Sequence, residues 1–270
     1  MLTDNVLMTF ARDGFLSEEA LHFAARQLEG FADIFGLAKE CSRTAMQLAA
    51  LLPALQGKKE VVAGTFFARA VAEFQGAVIL CERGLSVESM VLGRSIIETV
   101  FAMAAVALDR ISPEQLADND FANRTKIGRS FLPVAKRFGR LDKTKNLEAF
   151  IAEHGTAESI AFERMANLAG LEDLYRLYRH LSHFAAHPSV TAASVHYVTA
   201  PDGTGHVSLR PDFRDLPKAL TTACRAIIIA CASFEHVVTT PAINARINEN
   251  HLLVVELYDK YQPWAGEESE

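Results

Sequence analysis

Residues 90–108 read MVLGRSIIETVFAMAAVAL, and on helical spacing the segment is apolar on nearly every side. A helix of that kind has no solvent face, so other elements must enclose it. Its length approaches that of a membrane span, but Arg94 and Glu98 sit one turn apart inside it, and charge in hydrocarbon is costly. The segment therefore reads as the buried centre of a water-soluble helical bundle. Charges placed there need partners. An i,i+4 pair with the cation on the N-terminal side is the weaker orientation for pairing along one helix. At least one of the two is thus expected to reach across the bundle, either into a working site or into an ion pair that locks helix register.

A second stretch supplies candidate partners. In residues 171–188, LEDLYRLYRHLSHFAAHP, apolar Leu174, Leu177, Leu181 and Phe184 or Ala185 recur at three- and four-residue steps. Arg176, Arg179 or His180, His183 and His187 follow the same spacing on another side. One face seeks a core while the other gathers guanidinium and imidazole groups. Imidazole titrates near neutrality, which suits acid–base work. A helix end beside Pro188, with His187 at the negative end of the dipole, gives these histidines a structural reading as well. Metal binding by His183 and His187 with Glu98 as third ligand is a further alternative, although H-x-x-x-H lacks the glutamate of H-E-x-x-H.

Punctuation divides the remainder. Ser17 with the acids after it starts a helical run to about residue 55, broken near Gly30. A long helix is predicted over residues 59–83, stopped by Gly84, with Phe66, Phe67, Ala70, Phe74, Ala77, Val78 and Cys81 buried. Ser86 is expected to cap the apolar helix, and Ser112-Pro113-Glu114 to start the next. Pro133, Gly139 and Gly155 cut residues 114–170 into two to four shorter helices. Residues 194–198 and 206–209 alternate around the turn residues 201–205, which predicts a β-hairpin that must pack on the helices. Helices over about 216–238 and 241–261 finish the chain, with a lead-in over residues 1–16 and an acidic tail over 266–270.

The four cysteines, Cys41, Cys81, Cys224 and Cys231, form no C-x-x-C pair and fall in apolar contexts, as in a reduced cytoplasmic protein. The N-terminal residues lack the pattern of a secretory signal. No phosphate-loop, dinucleotide-fold or nucleophile-elbow motif is present. The formal charge is −6, which gives no global attraction to nucleic acid or an anionic membrane. That charge is unevenly spread. Residues 124–145, RTKIGRSFLPVAKRFGRLDKTK, hold eight basic residues against Asp142 alone, a local +7 that leaves −13 for everything else. With Phe131 and Phe138 interleaved, Arg124, Lys126, Arg129, Lys136, Arg137 and Arg140 form a candidate RNA-binding patch. The alternatives are a solvated helix face or a patch that meets the protein's own acidic surface in a dimer.

Arg94 and Glu98 on an apolar helix, followed by Tyr178, Ser182, His187 and Pro188 and then a hairpin and a long helix, resemble an uncharacterised bacterial family of all-helical proteins over about residues 60–240. The resemblance implies no reaction, but it marks Tyr178 and Ser182 as ligand-binding candidates. The chain is also distantly similar to HEPN domains, helical bundles that often dimerise, many of them metal-independent ribonucleases with an R-x(4–6)-H motif. Arg176 to His183 has that spacing, with Leu177 where such motifs usually carry a polar residue. The likeness implies that His183 or His187 moves the proton of a ribose 2′-hydroxyl while Arg176 or Arg179 stabilises the phosphorane.

The sequence thus predicts a mainly-α single domain over residues 1–270, a bundle of long helices with a small β-hairpin packed on it. The leading functional expectation is a cytoplasmic, homodimeric HEPN-like protein, with no cofactor and no membrane association, that binds or cleaves RNA in a stress, toxin–antitoxin or phage-defence setting. An antitoxin or another protein is an expected partner. Its catalytic candidates are Arg94, Glu98, Arg176, Arg179, His183 and His187. The alternatives are a non-catalytic helical module that recognises a small ligand or a protein partner through the Arg94, Glu98 and His187 region, and a metal-dependent enzyme using Glu98, His183 and His187.

Overall fold

The computed structural model describes residues 10, 12–18, 20, 22, 25 and 28–261. The tail over 266–270 and most of the lead-in lie outside them. Nine helices of eight residues or more are described: α1 (Ala32–Ala49), α2 (Lys58–Glu82), α3 (Ser86–Ala107), α4 (Pro113–Arg137), α5 (Leu141–His154), α6 (Phe162–Ala169), α7 (Glu172–Leu181), α8 (Leu216–Phe234) and α9 (Pro241–Tyr261). Strands β1 (Tyr197–Thr199) and β2 (Gly205–Val207) pair antiparallel, with Tyr197 opposite Val207 and Thr199 opposite Gly205.

The centre is α3, as its composition demands. Every residue from 99 to 107 is buried. Helices α2 and α8 flank it, and α1 and α9 close over α8. The expected face of α2 is borne out at Phe67, Ala70, Phe74, Ala77 and Cys81, while Phe66 and Val78 are half-buried against the same core. Phe67 on α2 stacks on Phe234 of α8, centroids 4.4 Å apart and planes 7° from parallel. By length and composition α2, α3 and α8 could each cross a membrane; sequence reading singled out only α3. In the bundle α3 and α8 bury most of that apolar surface against protein.

All four thiols are buried. Burial pushes the Cys81 thiol up to about 12, even though it donates to the Ser89 hydroxyl. Cys224 is raised by its hydrogen bond with Cys41 together with burial, and Cys231 by burial. The thiolate is the reactive form. The native protein is therefore expected to leave all four cysteines unmodified by a maleimide at pH 7, whereas the urea-unfolded chain takes up four labels, as counted by intact mass.

Local signals explain most boundaries. Ser112 accepts from the Gln115 amide at 3.2 Å while the Gln115 side chain accepts from the Ser112 amide, a complete capping box ahead of Pro113. Gly84 ends α2 at φ +72, and a Cβ there would lie 2.7 Å from the Pro211 side chain, so the position needs glycine twice over. Ser17 accepts from the Ala20 amide, as a helix start requires. Near Gly30, residues 29–31 form a 3-10 turn, the expected break.

Several expectations need correction. Ser86 does not cap α3; it is the first helical residue, and its hydroxyl donates to the Asp212 carbonyl at 2.9 Å. That bond, with the Asp212 amide donating to Gly84, ties the chain after the hairpin to the bundle. Pro133 does not interrupt α4, which runs through it for 25 residues. Pro133 and Arg129 are both exposed, so the carbonyl deprived of its N–H partner can meet water. The hairpin strands are shorter than expected because residues 194–196 form a 3-10 turn. Asp202 sets the turn by accepting from the Thr204 amide at 2.9 Å.

Past Leu116, which is buried in the core, α4 and α5 pack mainly on each other. No residue between 117 and 159 belongs to the core cluster.

Candidate functional site

Arg94 and Glu98 lie on the side of α3 that faces α7. The guanidinium meets Glu98 at 2.8 Å, donates through Nε to Ser182 Oγ at 2.8 Å and through Nη2 to the Tyr178 hydroxyl at 3.1 Å. Its Cζ also lies 4.9 Å from the centre of the Tyr178 ring. Arg94 therefore does both things at once, pairing along its own helix and crossing the bundle, because the fork offers five donors. The self-pairing was the arrangement expected to be disfavoured. Both side chains are about one-fifth exposed, so the pair is sheltered without being fully enclosed.

The partner side is shaped by a local deviation. After Leu181 the helix widens into a π turn over Ser182–Ala186, and the Ser182 hydroxyl donates back to the Tyr178 carbonyl at 2.8 Å while receiving Arg94. Turns of this type recur at functional sites. His187 then adopts the extended conformation that a following proline imposes. Tyr178 is braced by Tyr175, Phe101 and Phe162, with centroids 5.6–5.9 Å away. Tyr178 and Ser182, marked by the resemblance as ligand-binding, are thus Arg94's own partners.

The imidazoles lie elsewhere. His183 and His187 are exposed, and among the described residues neither ring makes a hydrogen bond or ion pair. Arg176 is exposed and pairs with Asp173 at 3.0 Å. Arg179 is held more firmly in its charged form by the Tyr175 hydroxyl and by Glu163. His180 is the perturbed member of the face: partial burial, Lys218 and His183 all lower its pKa. Lys218 Nζ lies 3.1 Å from His180 Nε2 and 4.4 Å from the centre of the Phe184 ring. An ammonium only donates, so His180 accepts through Nε2 as the neutral tautomer. Sequence reading missed Lys218, which lies 38 residues from His180 and on another helix.

Sequence reading also missed Glu73. On the opposite side of Arg94's turn, Ser95 donates to Glu73 at 2.8 Å and Thr99 does so at 3.3 Å, while Arg69 pairs with Glu73 at 2.8 Å. The matching i,i+4 spacings of Arg69/Glu73 and Ser95/Thr99 were the available signal. Among the described residues no three of His, Cys, Asp and Glu come together as a metal site, so Glu98, His183 and His187 do not form the ligand set considered above.

The basic stretch builds the α4–α5 hairpin. Ile127, Phe131, Val134 and Phe138 follow one another at steps of four, three and four along α4, all of them exposed; Phe131 is 58% and Phe138 68% exposed. With Leu147 and Phe150 of α5 they line a groove of about 750 Å³, edged by Arg124, Arg140 and Lys143. Four cations of the stretch are tied down: Arg124 near Asp120, Lys126 to Ser159, Arg129 to the Gly155 carbonyl, and Lys136 to Glu148 at 2.8 Å. Among the described residues Arg137, Arg140, Lys143 and Lys145 have no side-chain partner. A second, polar cavity of about 540 Å³ lies between α4 and α6 and is lined by Arg110, His154 and Arg164, among others.

Fold and site together define a helical bundle whose central helix is tied by polar groups to α7 and to α2, with an open helical hairpin at its side. The chain belongs to a family of unknown function (DUF5677), whose model matches residues 60–205. The match takes in most of α2 through the start of β2, including Arg94, Glu98, Tyr178, Ser182, His187 and the whole α4–α5 hairpin, and ends before α8 rather than near residue 240. No curated protein matches the chain, and no solved structure does. The likeness to HEPN domains draws no support from these findings.

Proposed function

We propose that this chain is a non-catalytic helical recognition module whose working surface is the α4–α5 hairpin. The observation that carries this reading is the open apolar stripe Ile127, Phe131, Val134 and Phe138 beside cations without partners. Exposed apolar surface of this kind, rimmed by charge, is the usual mark of an interaction site. The Arg94 cluster reads as a tie between α3 and α7, because Glu98, Tyr178 and Ser182 already engage its guanidinium. Catalysis by the α7 face would need an imidazole oriented by a second group and within reach of an unencumbered arginine. Arg176 is instead paired with Asp173.

The RNA-cleaving alternative is tested directly. The His183→Ala/His187→Ala double variant is expected to leave the rate of cleavage of a labelled single-stranded RNA unchanged from wild type, at background. A wild-type rate well above background that collapses in the double variant would restore the nuclease reading.

A further inference from the structure

We propose that the α4–α5 groove receives an acidic amphipathic helix of a partner protein. The inference rests on the hairpin being the working surface and adds the chemistry of its occupant. From Ile127 to Phe138 the stripe covers about three helical turns, roughly 16 Å at 1.5 Å per residue. A helix laid in such a groove presents apolar anchors at i, i+3 or i+4 and i+7, the same interval at which Ile127, Phe131, Val134 and Phe138 recur. The lining is mixed, with aliphatic Ile127, Val134 and Leu147 between Phe131, Phe138 and Phe150. Single-stranded RNA gains its affinity from stacking on aromatic faces and from phosphate contacts, and the interleaved Ile127, Val134 and Leu147 add nothing to stacking. An apolar side-chain row uses the whole groove.

Charge selects the sign of the occupant. Arg124, Arg140 and Lys143 edge the groove, and Arg137, Arg140, Lys143 and Lys145 have no side-chain partner among the described residues. Carboxylates flanking an apolar row would meet them, which steers association and fixes orientation. The same charge argues against a second copy of this chain. A two-fold interface sets one patch against itself and would bring a +7 segment onto another +7 segment. A head-to-tail contact between this patch and an acidic face would build a ring or a filament rather than a two-fold dimer.

The test uses the full-length chain and a fluorescein-labelled 16-residue helical peptide with leucine and phenylalanine at i, i+4, i+7 and i+11 and flanking glutamates. Its controls are the same peptide with lysine for glutamate and a single-stranded 16-nucleotide RNA. Anisotropy is expected to show the acidic peptide binding at least tenfold more tightly than the lysine peptide, with affinity falling as salt rises. Phe131→Glu/Phe138→Glu is expected to weaken it at least tenfold while leaving the far-ultraviolet circular dichroism unchanged. Equal affinity for the two peptides overturns the proposal. So does RNA binding that is tighter than the acidic peptide and lost in the Phe131/Phe138 variant, or a dimer in sedimentation velocity that this variant dissolves; in both cases the hairpin remains the working surface. If neither probe binds through the hairpin and no dimer forms, the occupant and the surface both fall.

Discussion

Arg94→Met is expected to lower the free energy of unfolding by about 3 kcal/mol, because it strips three groups of one donor at once. Glu98 would keep its charge in a sheltered position with no cation, and Tyr178 and Ser182 would each lose a charged hydrogen bond. Desolvated charge without a partner costs more than the net worth of the pair, so the second half of the experiment is informative. Arg94→Met/Glu98→Leu should recover most of the loss, since apolar side chains of similar size fit the neighbourhood of Phe101 and Phe162. Urea unfolding of the wild type, the single variant and the double variant measures both effects. A double variant less stable than the single one would mean that the pair does more than hold α3 to α7.

Phe67→Ala is expected to cost about 4 kcal/mol, in the range for emptying a fully enclosed aromatic site. Phe67 and Phe234 are both completely buried, and their rings face each other at 4.4 Å between α2 and α8. The neighbours are the close-packed faces around Ala70 and Phe74, which have little room to collapse into the void. Because both rings serve one contact, Phe67→Ala and Phe234→Ala should combine to less than the sum of their separate costs. The same unfolding experiment reads the coupling, and strict additivity would place the stabilisation in separate contacts.

Wherever the signal is local, the fold is legible in the sequence. The start at Ser112-Pro113-Glu114 is a capping box, α9 begins at the expected Pro241, and α2 lies within a residue of its expected bounds. Pro133 misleads because its effect depends on which way the freed carbonyl points, and only the tertiary setting of α4 decides that. The candidate site divides the same way. Arg94, Glu98, Tyr178 and Ser182 are visible as a set, and the structure brings all four together. Their role is not visible, because one guanidinium satisfying three partners is a matter of side-chain direction across two helices. In the sequence the imidazoles continue the stretch that carries Tyr178 and Ser182, yet the π turn over Ser182–Ala186 and the extended His187 after it leave His183 and His187 exposed. The α4 stripe is plain in its four-three-four spacing, but a row of that kind normally signals a buried face. That this one stays open follows from α4 and α5 contributing nothing to the core between residues 117 and 159.

On this proposal the polar tie under α7 serves stability while the α4–α5 groove serves recognition. Its most direct test measures the urea midpoint and the acidic-peptide dissociation constant of two variants, Arg94→Met and Phe131→Glu/Phe138→Glu, at a temperature where both are folded. A crossed result is expected: the first loses stability and keeps wild-type affinity, and the second keeps stability and loses affinity at least tenfold. Folded Arg94→Met that no longer binds, together with a Phe131/Phe138 variant that still does, would contradict it.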